Sequence, residues 1–362
     1  MINFAVDEPR RHLVENYIAR GWGEPLRDRI RQFTYTELFR AGELEPGTWI
    51  FTGIDALSPA ELRMVDVLES AARRAGFPVL NSALRFLNRY DLLRTLSDAG
   101  SNEFRAYRAN ESLDRLRFPV FLRVAQEHDG SLTPLLHDRR ELARAMLYVR
   151  MRGLPREQVL VVEFCDTSGP DRLYRKYSLF RIKQRLIPRY LHISQHWMAK
   201  EGTRELEEKL LDEQMSFLLD NPHEQWARAV FEKANIDYGR LDYGLRDGRP
   251  QVWEINVTPT LAGVPRQQSG GPGDVHHPLY PARSHAHKAM REAFEEIDTS
   301  AGSPARFEFP TQLIEEAQDE RRALDAILKR RRLISKFAAA PLLKNAGAFL
   351  RRRNLPPEPH VK

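Results

Sequence analysis

A strand, a helix and a second strand follow one another within residues 48–81, and this order constrains the fold more than any other feature. TWIFTG and FPVLNS are short apolar runs typical of buried strands. Between them lies SPAELRMVDVLESAARRAG, in which Ser58 is the predicted N-cap, Glu61 completes a capping box and Gly76 follows the last helical residue. Because a crossover helix joins parallel strands, the sequence predicts an α/β protein with a parallel sheet.

Further strand and helix patterns follow this βαβ unit. NRYDLLRTLSDAG and DRRELARAMLYVRMRG are typical of amphipathic helices, whereas FPVFLRVA and QVLVVEF are typical of buried strands. In LYRKYSLFRIKQRLIPRYLHIS, apolar and basic residues alternate, which predicts a sheet with one apolar face and one wet, cationic face. We therefore expect an irregular N-terminal segment at 1–46, a βαβ domain at 47–87, α+β lobes at 88–300 and a basic helical extension at 301–362.

Composition narrows the class of protein. The 362 residues include a single cysteine, which excludes an intrachain disulfide and a zinc site built on cysteines. The first residues lack a signal-peptide pattern, and no run approaches the 18 apolar residues of a membrane span, so we expect a cytoplasmic protein. Residues 321–362 hold 12 Lys or Arg and 2 acids, a net of +10, which leaves −4 for the rest of a chain whose total is +6. The basicity therefore belongs to the tail, and no specific binding of nucleic acid is expected.

Two acids and an amide occupy a predicted hairpin, LDYGLRDGRPQVWEIN. Asp242 lies on its first strand, and Glu254 and Asn256 share one face of the second strand, because side chains alternate along a strand. Hard oxygen ligands without His or Cys are the ligand set of Mg²⁺. Two carboxylates buried side by side without a cation would be costly. A Mg²⁺ site and a solvated hairpin face remain the two interpretations at this point.

The order of these segments resembles the ATP-grasp superfamily. The hairpin has the family's acid on one strand, E-x-N on the next and a nearby proline, here Asp242, Glu254, Asn256 and Pro259. Upstream, FPVFLRVAQEHDGS resembles the strand and loop that cover the nucleotide phosphates, and VVEF resembles the hinge strand beside the adenine. The resemblance covers roughly residues 88–295. It implies an ATP-grasp fold with the βαβ unit as pre-grasp domain and the basic helical tail as an addition.

The resemblance also implies roles for individual residues. Asp242, Glu254 and Asn256 would hold one or two Mg²⁺ ions, with Mn²⁺ as an alternative ion. Arg175 and Arg189 would contact the reacting phosphoryl and acyl groups. The residues implied in nucleotide binding are Arg123, Glu163, Phe164, Asp166 and Lys176. Four of these keep a structural alternative. Arg123 could be a surface arginine and Lys176 could belong to a solvated strand face, whereas Glu163 could be a hinge acid held by backbone N–H groups and Asp166 could cap a turn. Arg123 stands where the family usually has Lys.

By this resemblance the protein would be an ATP- and Mg²⁺-dependent ligase. A substrate carboxylate would be activated as an acyl phosphate and attacked by an amine, with small molecules or peptides as substrates and ADP and phosphate as products. Two alternatives stay open: a phosphotransferase of the same fold that acts on a hydroxyl or phosphoryl acceptor, and a non-catalytic nucleotide-binding scaffold. For the tail at 321–362 we expect an acidic protein partner or an anionic membrane surface, with packing on the body as the alternative.

Overall fold

The N-terminal region is built on a parallel sheet. This computed structural model describes residues 1–20, 22–127, 130–199, 209–261, 276–299 and 302–337. The elements of this region are β1 (Ile2–Val6), α1 (His12–Arg20), β2 (Ile30–Thr34), α2 (Tyr35–Leu38), β3 (Glu43–Leu44), β4 (Thr48–Phe51), α3 (Pro59–Arg74) and β5 (Val79–Leu80). The strand order is β2-β1-β4-β5, and all pairs are parallel. The predicted βαβ unit is confirmed, including the capping box of Ser58 and Glu61.

The expectation of an irregular segment at 1–46 is wrong. β1 lies inside the sheet between β2 and β4, and all its side chains are buried. Phe4 is fully buried and meets Tyr238 and Phe294 from the C-terminal half edge to face. INFAV has one polar residue, Asn3, and so lacks the polar alternation that marks a half-buried strand. The first 46 residues are therefore an integral part of the core.

A second region carries an antiparallel sheet and two helices. Its elements are α4 (Arg89–Asp98), β6 (Ala106–Arg108), β7 (Val120–Val124), α5 (Arg139–Met151) and β8 (Val159–Glu163). The strand order is β6-β8-β7, with Arg123 of β7 opposite Leu160 of β8. The predicted strands FPVFLRVA and QVLVVEF and both predicted helices are confirmed. Asn88 caps α4 and Asp138 caps α5 through their side chains.

A third region forms a larger antiparallel sheet backed by helices. Its elements are β9 (Tyr174–Ile182), β10 (Arg185–Ser194), α6 (Leu211–Asp220), α7 (Glu224–Ala234), β11 (Tyr238–Arg246) and β12 (Arg249–Asn256). The order is β10-β9-β11-β12. The predicted hairpin is confirmed, and Asp242 pairs directly with Glu254 across it. Because paired residues of adjacent strands share a face, the two carboxylates lie side by side.

The C-terminal elements close the core and then return to the N-terminal region. They are α8 (Tyr280–Ile297), β13 (Ala305–Arg306) and α9 (Thr311–Phe337). Met290 and Phe294 of α8 join a buried cluster that includes Phe4 of β1 and Phe180 of β9. α8 thus packs between the parallel sheet and the antiparallel sheet. No described helix has an apolar stretch that could cross a bilayer.

The C-terminal extension begins on the body of the protein instead of leaving it. Arg63 of α3 pairs with Glu316 of α9, and Glu320 accepts a hydrogen bond from the backbone N–H of Ala60. Arg321 forms an ion pair with Glu61, the capping-box acid of α3. The start of the tail is therefore packed on α3, which is the alternative interpretation from the sequence. Residues 338–362, where most of the predicted partner-binding tail falls, lie outside the described residues.

Candidate active site

A cavity of ≈ 240 Å³ lies between the β6-β8-β7 sheet and the β10-β9-β11-β12 sheet. One end is lined by rings and other apolar groups: Leu93, Phe104, Phe121, Val162, Phe164, Trp197, Met198 and Trp253. The other end is lined by charged side chains: Arg123, Lys176, Arg240, Asp242 and Glu254. A cavity that is aromatic at one end and charged at the other suits a ligand with a flat apolar part and a polyanionic part.

Alternation along the strands accounts for the charged end. Arg240 and Asp242 are two residues apart on β11, and Asp242 pairs with Glu254 of β12 and with Ser178 of β9. These residues and Lys176 therefore share the face of the sheet that borders the cavity. The opposite face carries apolar residues such as Tyr177 and packs against the helices behind the sheet.

Two arginines hold Glu254. Arg89, the first residue of α4, and Arg123 of β7 each pair with its Oε2 atom, the latter at 2.9 Å. Arg89 also donates to the carbonyls of Val124, Ala125 and Glu127 at 2.6–3.1 Å, so it ties the helix start to the segment after β7. Burial and the neighbouring charge of Arg89 together lower the pKa of Arg123 to about 10, although Glu254 opposes the shift.

Asp242 is the second anchor of the charged end. Its Oδ1 accepts hydrogen bonds from the Ser178 hydroxyl at 2.5 Å and from Nε of Arg240 at 2.9 Å. Lys176 lies 3.8 Å from its Oδ2. Although burial lowers the pKa of Arg240, the adjacent Asp242 carboxylate raises it above the ordinary value. Four cations thus surround two carboxylates at this end of the cavity, an excess that an anionic ligand would balance.

Asn256 lies at the end of β12, on the same face as Glu254. Its Oδ1 accepts a hydrogen bond from the backbone N–H of Thr258 at 2.8 Å, which holds the amide in one orientation. Asp242, Glu254 and Asn256 therefore offer hard oxygen donors from two neighbouring strands, which fits the coordination preference of Mg²⁺. Within the described residues there is no cluster of three or more His, Cys, Asp or Glu that could hold a metal ion. The donor set depends on the amide of Asn256 as its third protein ligand.

Glu163, the last residue of β8, and Phe164, which follows it, have different roles at the cavity. Glu163 accepts hydrogen bonds from the backbone N–H groups of Arg105 and Arg117 and from the Arg117 side chain at 2.6 and 3.1 Å. Its carboxylate is thus held by backbone N–H groups and by Arg117, which agrees with the structural alternative given for Glu163 in the sequence analysis. Phe164 lines the aromatic end and meets Trp197 edge to face at 5.7 Å. The aromatic ring, and not the Glu163 carboxylate, is the group of this segment that is available to a ligand.

Asp166 and Arg175 lie outside the cavity. Asp166 is exposed, and its Oδ1 accepts a hydrogen bond from the backbone N–H of Ser168, which is the turn-capping alternative. Arg175 pairs with Asp171 at 2.8 Å and with Glu213 of α6 at 2.5 Å. Its neighbour Lys176 faces the cavity, and consecutive residues of a strand point to opposite faces. The structure therefore does not bring Arg175 to the site where the resemblance implied it.

Arg189 lies beyond the charged end, at a bulge of β10. The register of β10 against β9 shifts between Pro188 and Tyr190, so Arg189 is the unpaired residue of the bulge. Its Nη1 lies 3.3 Å from Nε2 of His287 on α8. Of the predicted residues, the structure brings together Arg123, Glu163, Phe164, Lys176, Asp242 and Glu254 at the cavity. Arg189 belongs to a neighbouring cluster.

Sequence reasoning missed Arg89, Arg240 and the tryptophans of the aromatic end. Arg240 could have been found from its spacing, since it stands two residues before Asp242 and must share its face. Arg89 follows the helix cap Asn88, but nothing near it in the sequence indicates a partner 165 residues away. The sequence likewise indicates that Trp253 is a core residue, whereas the structure shows that Gly244 of the neighbouring strand leaves room for its indole at the cavity.

Comparisons with known proteins find similarity to solved structures in the overall path of the backbone. No protein-family model matches the chain, and no curated protein matches it. Among solved structures, the D-alanine–D-alanine ligase of Bacillus anthracis has 14% identity and a TM-score of 0.44 over 82% of this chain and 98% of that one. A RimK domain ATP-grasp protein of Sphaerobacter thermophilus has 17% identity and a TM-score of 0.43 over 82% and 98%. An L-amino acid ligase of Bacillus licheniformis has 14% identity and a TM-score of 0.40 over 81% and 73%.

One of these structures, the RimK domain protein, is named as an ATP-grasp protein, the superfamily that the sequence resembles. Their TM-scores lie below 0.5, so the interpretation of the site rests on the residues of this chain.

Proposed function

We propose that this protein is an ATP-dependent ligase of the ATP-grasp type, which activates a carboxylate and joins it to an amine. The observation that carries this proposal is the two-ended cavity, with aromatic rings at one end and four cations around two carboxylates at the other. A purine base fits between the rings, and a triphosphate fits the excess of positive charge.

The residues of the charged end would divide the work of phosphate binding. Arg123 and Lys176 approach from different sheets, so they would neutralise the triphosphate from two sides. Asp242, Glu254 and Asn256 would hold Mg²⁺, which supplies charge neutralisation at the β- and γ-phosphates when bound. Binding of the ion would free Arg89 and Arg123 from Glu254, so that Arg123 would become available to phosphate oxygens.

The chemistry then needs positioning and charge neutralisation and no covalent nucleophile from the protein. A carboxylate oxygen of the substrate forms a bond to the γ-phosphorus while the bond to the β-phosphate oxygen breaks, and ADP leaves. The amine nitrogen then attacks the acyl carbon, phosphate departs and the nitrogen loses a proton. The buried cations, Arg123 and Arg240, would stabilise charge in both steps because they lie in a desolvated site.

Calorimetry with full-length protein tests the nucleotide half of this proposal. We expect ATP binding to require Mg²⁺ and Glu254→Ala to abolish this Mg²⁺-dependent binding, because the variant lacks an ion ligand. Glu232→Ala, which removes an exposed acid from α7, is the matched control and should bind like the wild type. Binding that is independent of Mg²⁺ in the wild type and unaffected by Glu254→Ala would contradict the proposal.

A screen for ADP release tests the acceptor half. Carboxylates, amines and sugars are offered in combination with ATP and Mg²⁺, and Asp242→Ala provides the blank. ADP release that needs both a carboxylate and an amine supports the ligase. Phosphorylation of a hydroxyl with no amine present would support the phosphotransferase instead.

One observation suits the non-catalytic alternative, namely that Glu254 is already paired with two arginines. ATP binding without ADP release for any acceptor would favour that interpretation.

A further inference from the structure

A second group of hydrogen-bond donors lies beyond the charged end of the cavity, where β10 meets α8 and the N-terminal region. Its centre is the contact between Arg189 at the bulge of β10 and His287 of α8. Trp22 stacks on the His287 ring at 4.6 Å and 11° and covers one side of it. Residues from three separate parts of the chain thus meet at this point. None of them is needed for the nucleotide cavity.

The donors of this group outnumber their acceptors. A guanidinium can only donate, so Nε2 of His287 accepts from Arg189, and the ring proton of the neutral imidazole is on Nδ1. That Nδ1 atom is buried and has no hydrogen-bond partner among the described residues. The hydroxyl of Tyr17 is also buried and also has no partner among them. His287 is 6% exposed and Tyr17 is fully buried. Buried donors without acceptors are costly, so their presence points to a ligand that accepts hydrogen bonds.

Charge points to the same kind of ligand. Burial, together with the positive charges of Arg240 and Arg283, lowers the pKa of Arg189 to about 10. Burial also lowers the pKa of His287 to about 2, with Arg189 and Arg283 adding to the effect. Arg189 nevertheless keeps part of its surface accessible, so it is a poorly solvated cation that a ligand can reach. Like charges held this close are stabilised by an anion.

The group is continuous with the nucleotide cavity. Lys176 and Arg240, which border the cavity, lie 5.6 and 5.5 Å from the ring centroid of Tyr190. Tyr190 directly follows Arg189 in β10. A row of cations therefore runs from the phosphate end of the cavity, past Tyr190, to Arg189 and Arg283. A molecule that reacts at the phosphate end would reach along this row.

We propose that Arg189 and His287 bind an anionic group, a carboxylate or a phosphate, of the acceptor substrate. The acceptor would carry this group in addition to the one that reacts. The statement that the anion belongs to the acceptor rests on the proposed function, whereas the anion site itself does not. Trp22 and Tyr17 would make the N-terminal region a part of substrate selection.

The test is an anion titration of full-length, nucleotide-free protein. Succinate and glycerol phosphate serve as probes in separate arms, since they distinguish a carboxylate from a phosphate ligand. Binding is followed by the fluorescence component that Trp22→Phe removes and by the ring-nitrogen NMR shifts of His287. We expect a saturable response, weakened about tenfold or more by Arg189→Gln, since a charge-assisted hydrogen bond is lost. Arg189→Lys keeps the charge and should retain part of the affinity.

Arg185→Gln is the matched control. It removes an arginine of the same strand that is exposed and pairs with Glu292 and Glu296 on the surface of α8. The proposal is overturned if neither probe gives a saturable response or if Arg185→Gln weakens binding as much as Arg189→Gln. It is also overturned if Lys176→Gln abolishes the response while Arg189→Gln leaves it intact, because the anion then occupies the cavity. A normal response together with absent ATP binding would contradict the proposed function and support the anion site.

Discussion

The two faces of the β10-β9-β11-β12 sheet are made by the same strands, but one is apolar and the other is charged. The face toward α6 and α7 is apolar: Tyr177 and Tyr243 stack at 5.2 Å, and both pack with aromatic residues of the helices. The face toward the cavity carries Lys176, Arg240 and Asp242 in ion-paired contact. Adjacent residues of a strand point to opposite faces. One side chain therefore stabilises the fold while its neighbour lies where it can bind a charged group.

The charged face can remain buried only because the apolar face stabilises the same strands. Cations and carboxylates at the cavity cost energy when buried, and this cost is offset by the hydrophobic burial on the other side of each strand. Arg175 and Lys176 show how narrow the division is. They are adjacent in sequence, yet Arg175 pairs with Glu213 of α6 and Lys176 lies 3.8 Å from Asp242. Substitutions on the two faces should therefore have different signatures.

The largest effect is expected on the apolar face, from Tyr243→Ala. Tyr243 is fully buried, stacks on Tyr177 and accepts or donates a hydrogen bond at 2.8 Å with Nδ1 of His223. Loss of the ring leaves a cavity, and we expect the free energy of unfolding to fall by about 3–5 kcal/mol. Urea denaturation followed by circular dichroism measures it. A loss below about 1 kcal/mol would show that this face does not support the sheet as described.

A smaller effect is expected on acidification, through His287 beside the charged face. Its pKa is lowered from 6.5 to about 2 in the folded state by burial, Arg189 and Arg283. The unfolded chain therefore binds a proton below pH 6.5 that the folded protein does not, and stability falls as the pH drops through 6.5. From pH 7 to pH 5 this group should cost roughly 1–2 kcal/mol.

The comparison of His287→Gln with the wild type isolates that contribution. The variant should show a shallower loss of stability between pH 7 and pH 5 in urea denaturation. The groups that face His287 are Arg189 from β10, Arg283 from its own helix and Trp22 from the N-terminal region. Identical pH profiles for the two proteins would mean that His287 is not held neutral. Added succinate should flatten the wild-type profile if the anion site is filled.

The smallest effect is expected from Gly244→Ala, which tests the aromatic end of the cavity. A Cβ atom at this position would lie 2.7 Å from Cζ2 of Trp253, so the indole must move. We expect ATP to bind about tenfold more weakly, with stability lowered by about 1 kcal/mol. Gly42→Ala is the control, because a Cβ atom there meets nothing within 4 Å. Equal ATP affinities in the two variants would show that Trp253 does not shape the nucleotide pocket.

The helix and strand patterns were readable from local sequence because their causes are local. The βαβ unit, the caps of α3 and α4 and the β11–β12 hairpin follow from hydrophobic period, cap residues and turn residues. The prediction for the segment at 1–46 was wrong because its longer strands, β1 and β2, gain their partners only in the sheet, where β1 pairs with β2 and β4. Fully buried parallel strands lack the alternation that makes a strand visible in one sequence.

The sequence by itself determined that Glu254 and Asn256 share a face, because side chains alternate along a strand. The folded hairpin decided that Asp242 lies on the same face, because the β11–β12 register shifts between Asp242 and Tyr243. The tertiary structure alone decided which cations meet them. Arg89 reaches Glu254 across 165 residues, Arg117 pairs with the carboxylate of Glu163, and Arg175 pairs with Glu213 of α6. Charges carry no local signal of their partners, because an ion pair depends on distance in space and not on spacing along the chain.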